Sequence, residues 1–449
     1  MNAYIESVIE TVRKKHGNEP EFVQTVEEVL SSLDPVVEKH PEYEAADLLG
    51  RMVEPERMFT FRVVWTDDAG KPHTNIGYRC QFNGAIGPYK GGLRFQPNVY
   101  PGIIKFLGFE QIFKNSLTGL PIGGGKGGAD FDPAGKSDAE IMRFCQSFMT
   151  ALYRYIGPDI DVPAGDMGVG GREIGFLYGQ YRRLKGCFEN GVLTGKGLSY
   201  GGSLARPEAT GYGAVYYLLE VLKHEGEDIK GKTIAAAGFG NVTWGICKKA
   251  KQLGAKVITL SGPDGYVYDP DGVSTDEKVE YLLEMRSSGR NKVKDYADKF
   301  GVEFHAGEKP WGVKADIIMP SAMQNDVNME QAKKIAACGA KYYIEVANMP
   351  TTNDALKFLM EQPNLIVAPS KAVNAGGVGV SAMEMSQNSE RLSWTVDEVD
   401  GQLKKMMENI HRVSAEAAEE YGLGYNLVAG ANIAGFKKVA EAMLEQGLF

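Results

Sequence analysis

Three lysines and one aspartate are the residues most ready to do chemistry. Lys126 stands in LPIGGGKGGAD, Leu120 to Asp130, a single ammonium group among five glycines. Glycine admits φ > 0 and lets a ligand approach the backbone, at a cost in folding entropy. The stretch is therefore expected to be a loop that holds its lysine in crowded surroundings, where burial and nearby charge tune it. A phosphate-binding loop does not fit, because it has Gly where Leu120 stands and Ser or Thr where Gly127 stands. Lys90 lies in GAIGPYKGGLRF and Lys114 in GFEQIFKNSL. Lys114 shares a helical stretch with Phe106, Phe109, Ile112 and Phe113, and Gln111 sits one turn earlier on its face. A dicarboxylate ligand needs several such cations; a solvated side chain is the other reading, since lysine is seldom buried unpaired. Asp166 follows DIDVPAG and precedes MGVGG. It suits either a helix N-cap or a proton carrier facing a lysine.

A second signal lies further on. In TIAAAGFGNVTWG, Gly238 and Gly240 end an apolar strand and directly precede a helix. That is the context of a dinucleotide turn, with the pyrophosphate at the helix N-terminus. Thr243 occupies the place of the usual third Gly or Ala. The acid expected at the tip of KVITLSG is replaced by Ser261 and Gly262, and Asp264 follows two residues later. Asp264 is expected to hold the ribose hydroxyl or repel a 2′-phosphate. With no Arg or Lys in SGPDGYVYD, NAD is favoured and NADP is possible.

The elements around these residues define an α/β chain. PEFVQTVEEVLSSL repeats apolar residues at helical spacing, MFTFRVVW and IGYRCQF read as strands, and IIKFLGFEQIFKNSL as a helix. Ser137 to Glu140, SDAE, is a capping box. From TIAAAGF onward, apolar runs (KVITLSG, DIIMPSA, YYIEV, LIVAPS) alternate with helical stretches, the pattern of a doubly wound parallel sheet. Two long helical patterns close the chain. At 449 residues, two domains are expected.

The net charge of −9 argues against nucleic-acid binding, and no apolar run reaches the length that crosses a bilayer. Five scattered cysteines and an N-terminus unlike a signal peptide fit a reducing cytoplasm. Six separated histidines give no metal-ligand spacing, so no metal is expected.

Together GPYKGGLRF, LPIGGGKGG, DVPAGDMGVG, RPEATGYG, GFGNV, EVANMPTT and PSKAVNAGGVGVSAMEMSQN resemble the glutamate dehydrogenase family, in its hexameric bacterial type with short subunits (the Glu/Leu/Phe/Val dehydrogenases). The resemblance spans nearly the whole chain. It implies an N-terminal α/β substrate-binding and oligomerisation domain, residues 1–200 plus 424–449, with a C-terminal helix returning to it. A Rossmann-like dinucleotide-binding domain, 201–423, lies between, and the two are expected to face each other across a cleft. By resemblance, Lys126 is the catalytic lysine and Asp166 the proton carrier. Lys114 and Gln111 bind the α-carboxylate, Lys90 and Ser381 the side-chain carboxylate, and Gly165 and Val378 line the substrate. Arg206, Thr210, Gly238, Phe239, Gly240, Asn241, Val242, Ser261, Asp264, Asn348 and Asn374 surround the dinucleotide. Gly379 and Ala382 flank Ser381 and bear on how strictly glutamate is chosen.

The implied reaction is reversible oxidative deamination of L-glutamate to 2-oxoglutarate and ammonium by a cytoplasmic homohexamer of 32 symmetry, with no nucleic-acid or membrane partner. Two rivals are weighed. A branched-chain amino-acid dehydrogenase requires an apolar residue where Lys90 stands. A non-catalytic dinucleotide sensor leaves the Lys126–Asp166 pairing without purpose. A pyridoxal-phosphate enzyme is more remote still, because the glycine–lysine stretch lacks a phosphate-binding spelling.

Overall fold

The structure is a computed structural model that describes residues 1–448. Its contacts divide the chain into two units. The first comprises Met1–Leu204, Val378–Val399 and the chain from Asn432 onward; the second comprises Ala205–Gly377 and Asp400–Ala431.

The first unit is built on a five-stranded mixed sheet in the order β1-β2-β4-β3-β5. The strands are β1 (Arg57–Thr66), β2 (Pro72–Asn83), β3 (Tyr89–Phe95), β4 (Gly123–Ala129) and β5 (Asp161–Gly165). β1, β2 and β4 run antiparallel, whereas β3 lies parallel to both β4 and β5. One face packs an aromatic core in which Trp65, Phe95, Phe131, Phe144 and Phe148 are buried and Phe131 stacks on Phe144 at 3.7 Å. The helix Asp138–Leu152 enters that core from Ser137, whose capping box is complete.

The glycine–lysine stretch differs from the loop that its composition suggests: it is β4, fully buried and the central strand of the five, paired on both sides. None of its five glycines has positive φ. They are needed for closeness instead. A Cβ at Gly128 would lie 2.2 Å from the Arg94 carbonyl oxygen, and one at Gly124 2.8 Å from Ile112 in the helix Pro101–Leu117. On β3, a Cβ at Gly91 would lie 1.6 Å from the Gly125 carbonyl oxygen. Bare backbone lets the neighbouring chain segments close on β4.

The second unit carries a seven-stranded sheet, β12-β11-β10-β6-β7-β8-β9. Its strands are β6 (Thr233–Ala236), β7 (Lys256–Gly262), β8 (Gly265–Tyr268), β9 (Glu303–Ala306), β10 (Ile317–Met319), β11 (Tyr342–Ile344) and β12 (Ile366–Ala368). The five strands from β12 to β7 are parallel, as their apolar runs predict. The antiparallel pair β8 and β9 at one edge is not evident from that pattern. β6 lies between β7 and β10, so strand order reverses there and a crevice opens beyond its carboxyl end.

Candidate active site

In the first unit, strands β3, β4 and β5 deliver the charged side chains. Lys126 extends from β4, 2% exposed, and its Nζ lies 2.9 Å from Asp166 Oδ2. Asp166 follows β5 directly and its side chain is 18% exposed, so the pair is open on the carboxylate side. It is no helix N-cap: Gly170 holds that place for the helix Gly171–Lys185. Arg94, four residues after Lys90 on β3, reaches the same Oδ2 at 2.9 Å through Nε. Gly92 makes room for this, since a Cβ there would lie 2.7 Å from the Gly165 carbonyl oxygen and 2.9 Å from Asp166 Cβ.

Burial alone would raise the Asp166 pKa, but the charges of Arg94 and Lys126 outweigh it and hold the carboxyl well below the usual range. Burial pushes Lys126 down from its ordinary value; Asp166 opposes that shift and Arg94 reinforces it. The result is a dry ammonium beside an ionised carboxylate, a pair able to pass a proton.

Lys90 is 1% exposed, and its Nζ donates to the Val162 carbonyl at 3.0 Å and to Thr194 Oγ1 at 2.8 Å. Lys114 and Gln111, 6% and 7% exposed, lie one turn apart on the helix Pro101–Leu117. The buried Gln111 Oε1 meets no donor in the protein, so part of this amide's capacity is left for a ligand. The helix crosses Lys126 at Gly108, where an added Cβ would stand 3.7 Å from Lys126 Cβ. Gly165 ends β5 opposite Leu93. Ser381, 1% exposed, and the partly buried Val378 belong to the helix Ala375–Glu390.

The frame beneath these residues is a fully buried ion pair. Arg79 Nε donates to Asp161 Oδ2 at 2.9 Å, and Arg79 Nη2 bonds Asp161 Oδ1. Arg79 Nη1 donates to the Gly91 carbonyl at 2.9 Å, tying β2, β3 and β5 together behind Lys90. Sequence reasoning missed Arg94 and Thr194. The spacing of Lys90 and Arg94 on alternate positions of one strand face was the available signal for the first. Thr194 had none.

In the second unit, β6 runs into the turn Gly238–Phe239–Gly240 and the helix Asn241–Gln252. Gly238 has φ +79°, a conformation that favours glycine. Gly240 is the helix N-cap, supplies no side-chain cap, and a Cβ there would meet nothing within 4 Å. The start of that helix thus has no side-chain cap, and Gly240 and Asn241 are exposed there, which suits a pyrophosphate site. Thr243 fits in place of a smaller residue because its Oγ1 donates to the Ala237 carbonyl at 2.8 Å. Ser321, just beyond β10, donates to the same carbonyl at 2.6 Å and is a further residue of this crevice that the sequence did not mark.

Ser261 belongs to the turn: its Oγ accepts from the Gly238 N–H at 2.9 Å. Asp264 is already engaged within the protein. Its two carboxylate oxygens accept the N–H groups of Val293 and Lys294 at 2.9 and 3.0 Å, so it fastens the β7–β8 hairpin to the helix Lys294–Phe300. Asn374 Nδ2 donates to the Val346 carbonyl and to Asn348 Oδ1, each at 3.0 Å, which brings these two asparagines together. Thr210 and Arg206 gather at Gly377, where a Cβ would lie 2.4 Å from Thr210 Oγ1 and 3.8 Å from Arg206 Nη1. Among the described residues, no group of three or more His, Cys, Asp or Glu is arranged to hold a metal ion. No described helix is long and apolar enough to cross a membrane.

A lysine–aspartate centre on one mixed sheet, and a glycine turn at the switch point of a parallel sheet, define a nucleotide-dependent α/β oxidoreductase. Residues 55–183 match the family described as Glu/Leu/Phe/Val dehydrogenase, dimerisation domain, and residues 201–447 match Glutamate/Leucine/Phenylalanine/Valine dehydrogenase. The chain belongs to this family. It is 71% identical over 448 residues to the NAD-specific glutamate dehydrogenase of Clostridium symbiosum, covering 100% of both chains. To the NADP-specific glutamate dehydrogenase of Haemophilus influenzae it is 50% identical, covering 100% of this chain and 99% of the relative. A solved glutamate dehydrogenase structure superposes with a TM-score of 0.99 at 71% identity, covering 100% of both chains.

Proposed function

We propose that this protein catalyses the reversible oxidative deamination of L-glutamate to 2-oxoglutarate and ammonium, with NAD as the favoured cofactor and NADP as an alternative. The observation that carries the reading is the pairing of buried Lys126 with partly exposed Asp166 at 2.9 Å, with Lys90 and Lys114 held almost wholly out of water in the same unit. Three buried ammonium groups suit a small diacid with a reacting carbonyl, because a diacid supplies the charges that repay their desolvation. The first unit then binds substrate and forms the assembly contacts, and the second binds the dinucleotide.

In this reading Lys114 and Gln111 grip the α-carboxylate, and Lys90 and Ser381 grip the side-chain carboxylate, with Gly165 and Val378 lining the chain between. That fixes the orientation of Cα, which is a large part of the rate. Lys126 polarises the substrate carbonyl and stabilises the carbinolamine, and Asp166 takes and returns the amine proton. Bound nicotinamide supplies the hydride acceptor and donor for Cα. Gly238, Phe239, Gly240, Asn241, Val242 and Ser261 would hold its pyrophosphate side, and Arg206, Thr210, Asn348 and Asn374 would complete its surroundings. Asp264 fixes the neighbouring hairpin and is outside this set. The enzyme is read as a cytoplasmic homohexamer, in keeping with five cysteines that all stand free.

The test is direct. Purified protein with 2-oxoglutarate, ammonium and NADH should oxidise NADH only when both other substrates are present, and a branched-chain 2-oxo acid should substitute poorly. Absence of oxidation overturns the reading. Light scattering checks the hexamer.

A further inference from the structure

Outside every role assigned above lies an ion pair with no exposed side-chain surface, Lys196 with Glu384, at 2.8 Å. Lys196 Nζ also donates to Asn388 Oδ1 at 2.8 Å and to the Leu193 carbonyl. Glu384 accepts in return from the backbone N–H of Gly195 at 2.9 Å and of Lys196 at 3.3 Å. One turn on, Asn388 Nδ2 donates to the Gly201 carbonyl at 2.7 Å and Gln387 Nε2 to Ser203 Oγ at 2.9 Å. The helix Ala375–Glu390 is thus stitched to the segment 193–203 along its final turns.

A buried ion pair is a poor source of stability, because desolvation offsets most of its attraction. A fully satisfied polar network does, however, fix geometry. What this one fixes lies between its own anchor points. Thr194 stands between Leu193, which accepts from Lys196, and Gly195, which donates to Glu384. Its Oγ1 receives the Lys90 hydrogen bond, and its N–H donates to the Pro163 carbonyl on β5 at 3.1 Å. Ser381 lies three residues before Glu384, on the same helix face.

We propose that Lys196 and Glu384 are positioning residues for the side-chain-carboxylate end of the substrate: their bond holds Thr194 against the Lys90 ammonium and sets Ser381 on the helix face beside it. The proposal rests on the reading of Lys90 and Ser381 given above. Neither Lys196 nor Glu384 touches substrate. Both select it, by keeping the diacid's second anchor in register.

The experiment compares 2-oxoglutarate with 2-oxopentanoate, which has the same chain length and no second carboxylate. Wild type, E384Q, K196M and the double variant K196M/E384L are assayed, the last because an apolar pair of similar volume preserves folding where a half-broken pair leaves a buried charge. Folding is checked by thermal melting. The expected result is a loss of roughly tenfold or more in kcat/KM for 2-oxoglutarate, since small displacements of a substrate anchor have large effects. The loss should appear mainly in KM and persist in the double variant. Turnover of 2-oxopentanoate and the KM for ammonium should be nearly unchanged. Equal losses on both oxo acids, or wild-type discrimination in a folded double variant, overturn the proposal. If wild type itself fails to use 2-oxoglutarate, the glutamate reading falls and takes this one with it; normal wild-type turnover with unchanged discrimination in the variants removes this one alone.

Discussion

Lys126 and Asp166 meet through a single carboxylate oxygen, Oδ2, and Arg94 reaches that same oxygen at the same distance of 2.9 Å. One acceptor atom therefore carries two cationic donors. In the proposed reaction Arg94 would hold the carboxylate in place while Lys126 acts on the substrate, so orientation and proton transfer would rest on different partners.

Removing Arg94 should move the pH dependence. Burial raises the Asp166 pKa, and Arg94 is the larger of the two charges that pull it down. In R94Q one lowering influence is gone, so the carboxyl must protonate at a higher pH. The acid limb of the kcat/KM profile is expected to shift upward in pH relative to wild type, and an unmoved limb would detach Arg94 from the proton carrier.

The pair itself should be far less tolerant. D166N and K126Q keep size and hydrogen-bonding capacity while removing the proton carrier or the charge. Each is expected to lower kcat by about 10²–10⁴-fold, the usual scale for losing a positioned acid or base. Circular dichroism should stay native, and the loss should be read as initial rates in both directions.

Glycine positions divide sharply. Gly91→Ala places a methyl group on the Gly125 carbonyl oxygen and should destabilise by about 3 kcal/mol or more, or prevent folding. Gly401→Ala, on an exposed turn of the helix Val396–Glu420 with open space around its Cβ, should stabilise by about 0.5–1 kcal/mol. Denaturant midpoints of the two variants test the contrast.

Asp264 should matter for the hairpin, not for the choice of cofactor. D264A removes the acceptors of two helix-end N–H groups and should lower stability by about 1 kcal/mol. The ratio of kcat/KM for NADH and NADPH should not change. A marked swing toward NADPH would restore the ribose role that its position in the sequence suggests.

His411 sets a stability window. Burial, then the nearby charges of His224 and Lys223, lower its pKa from 6.5 to about 4, and its Nε2 lies 2.6 Å from the Tyr425 hydroxyl. The unfolded chain thus takes up the proton first as pH falls. Stability is intact above 6.5 and is lost on descent toward 4, by at most about 3 kcal/mol. H411Q should flatten that part of the urea-midpoint profile between pH 7 and 5.

Much of this was legible in the residues. The apolar runs of the second half specify parallel strands because both faces of that sheet are covered, and Gly238 marks the turn because its positive φ favours glycine. The capping box at Ser137 is a local signal read locally. β4 is different. A strand made almost wholly of glycine has no alternation to read, and its pairing follows from what the flanking segments need. Asp264 illustrates the opposite limit: its sequence position suits a ribose, but the Val293 and Lys294 amides that claim it come from some thirty residues away. Thr194 and the Lys196–Glu384 pair are joined to Lys90 and Ser381 only by the fold.

Between Gly123 and Gly128, Lys126 is the one residue with a side chain. Drift at the other positions has few accessible alternatives, because an added Cβ at Gly123, Gly124, Gly127 or Gly128 would come within 2.8 Å of neighbouring backbone, and one at Gly125 would press on the Cys80 carbonyl oxygen at 3.1 Å. A descendant of this protein that came to prefer another amino acid would have to be remodelled from the walls and leave the floor intact. Mutagenesis libraries aimed at new specificity belong on the helix Pro101–Leu117, the segment 193–196 and residues 378–381.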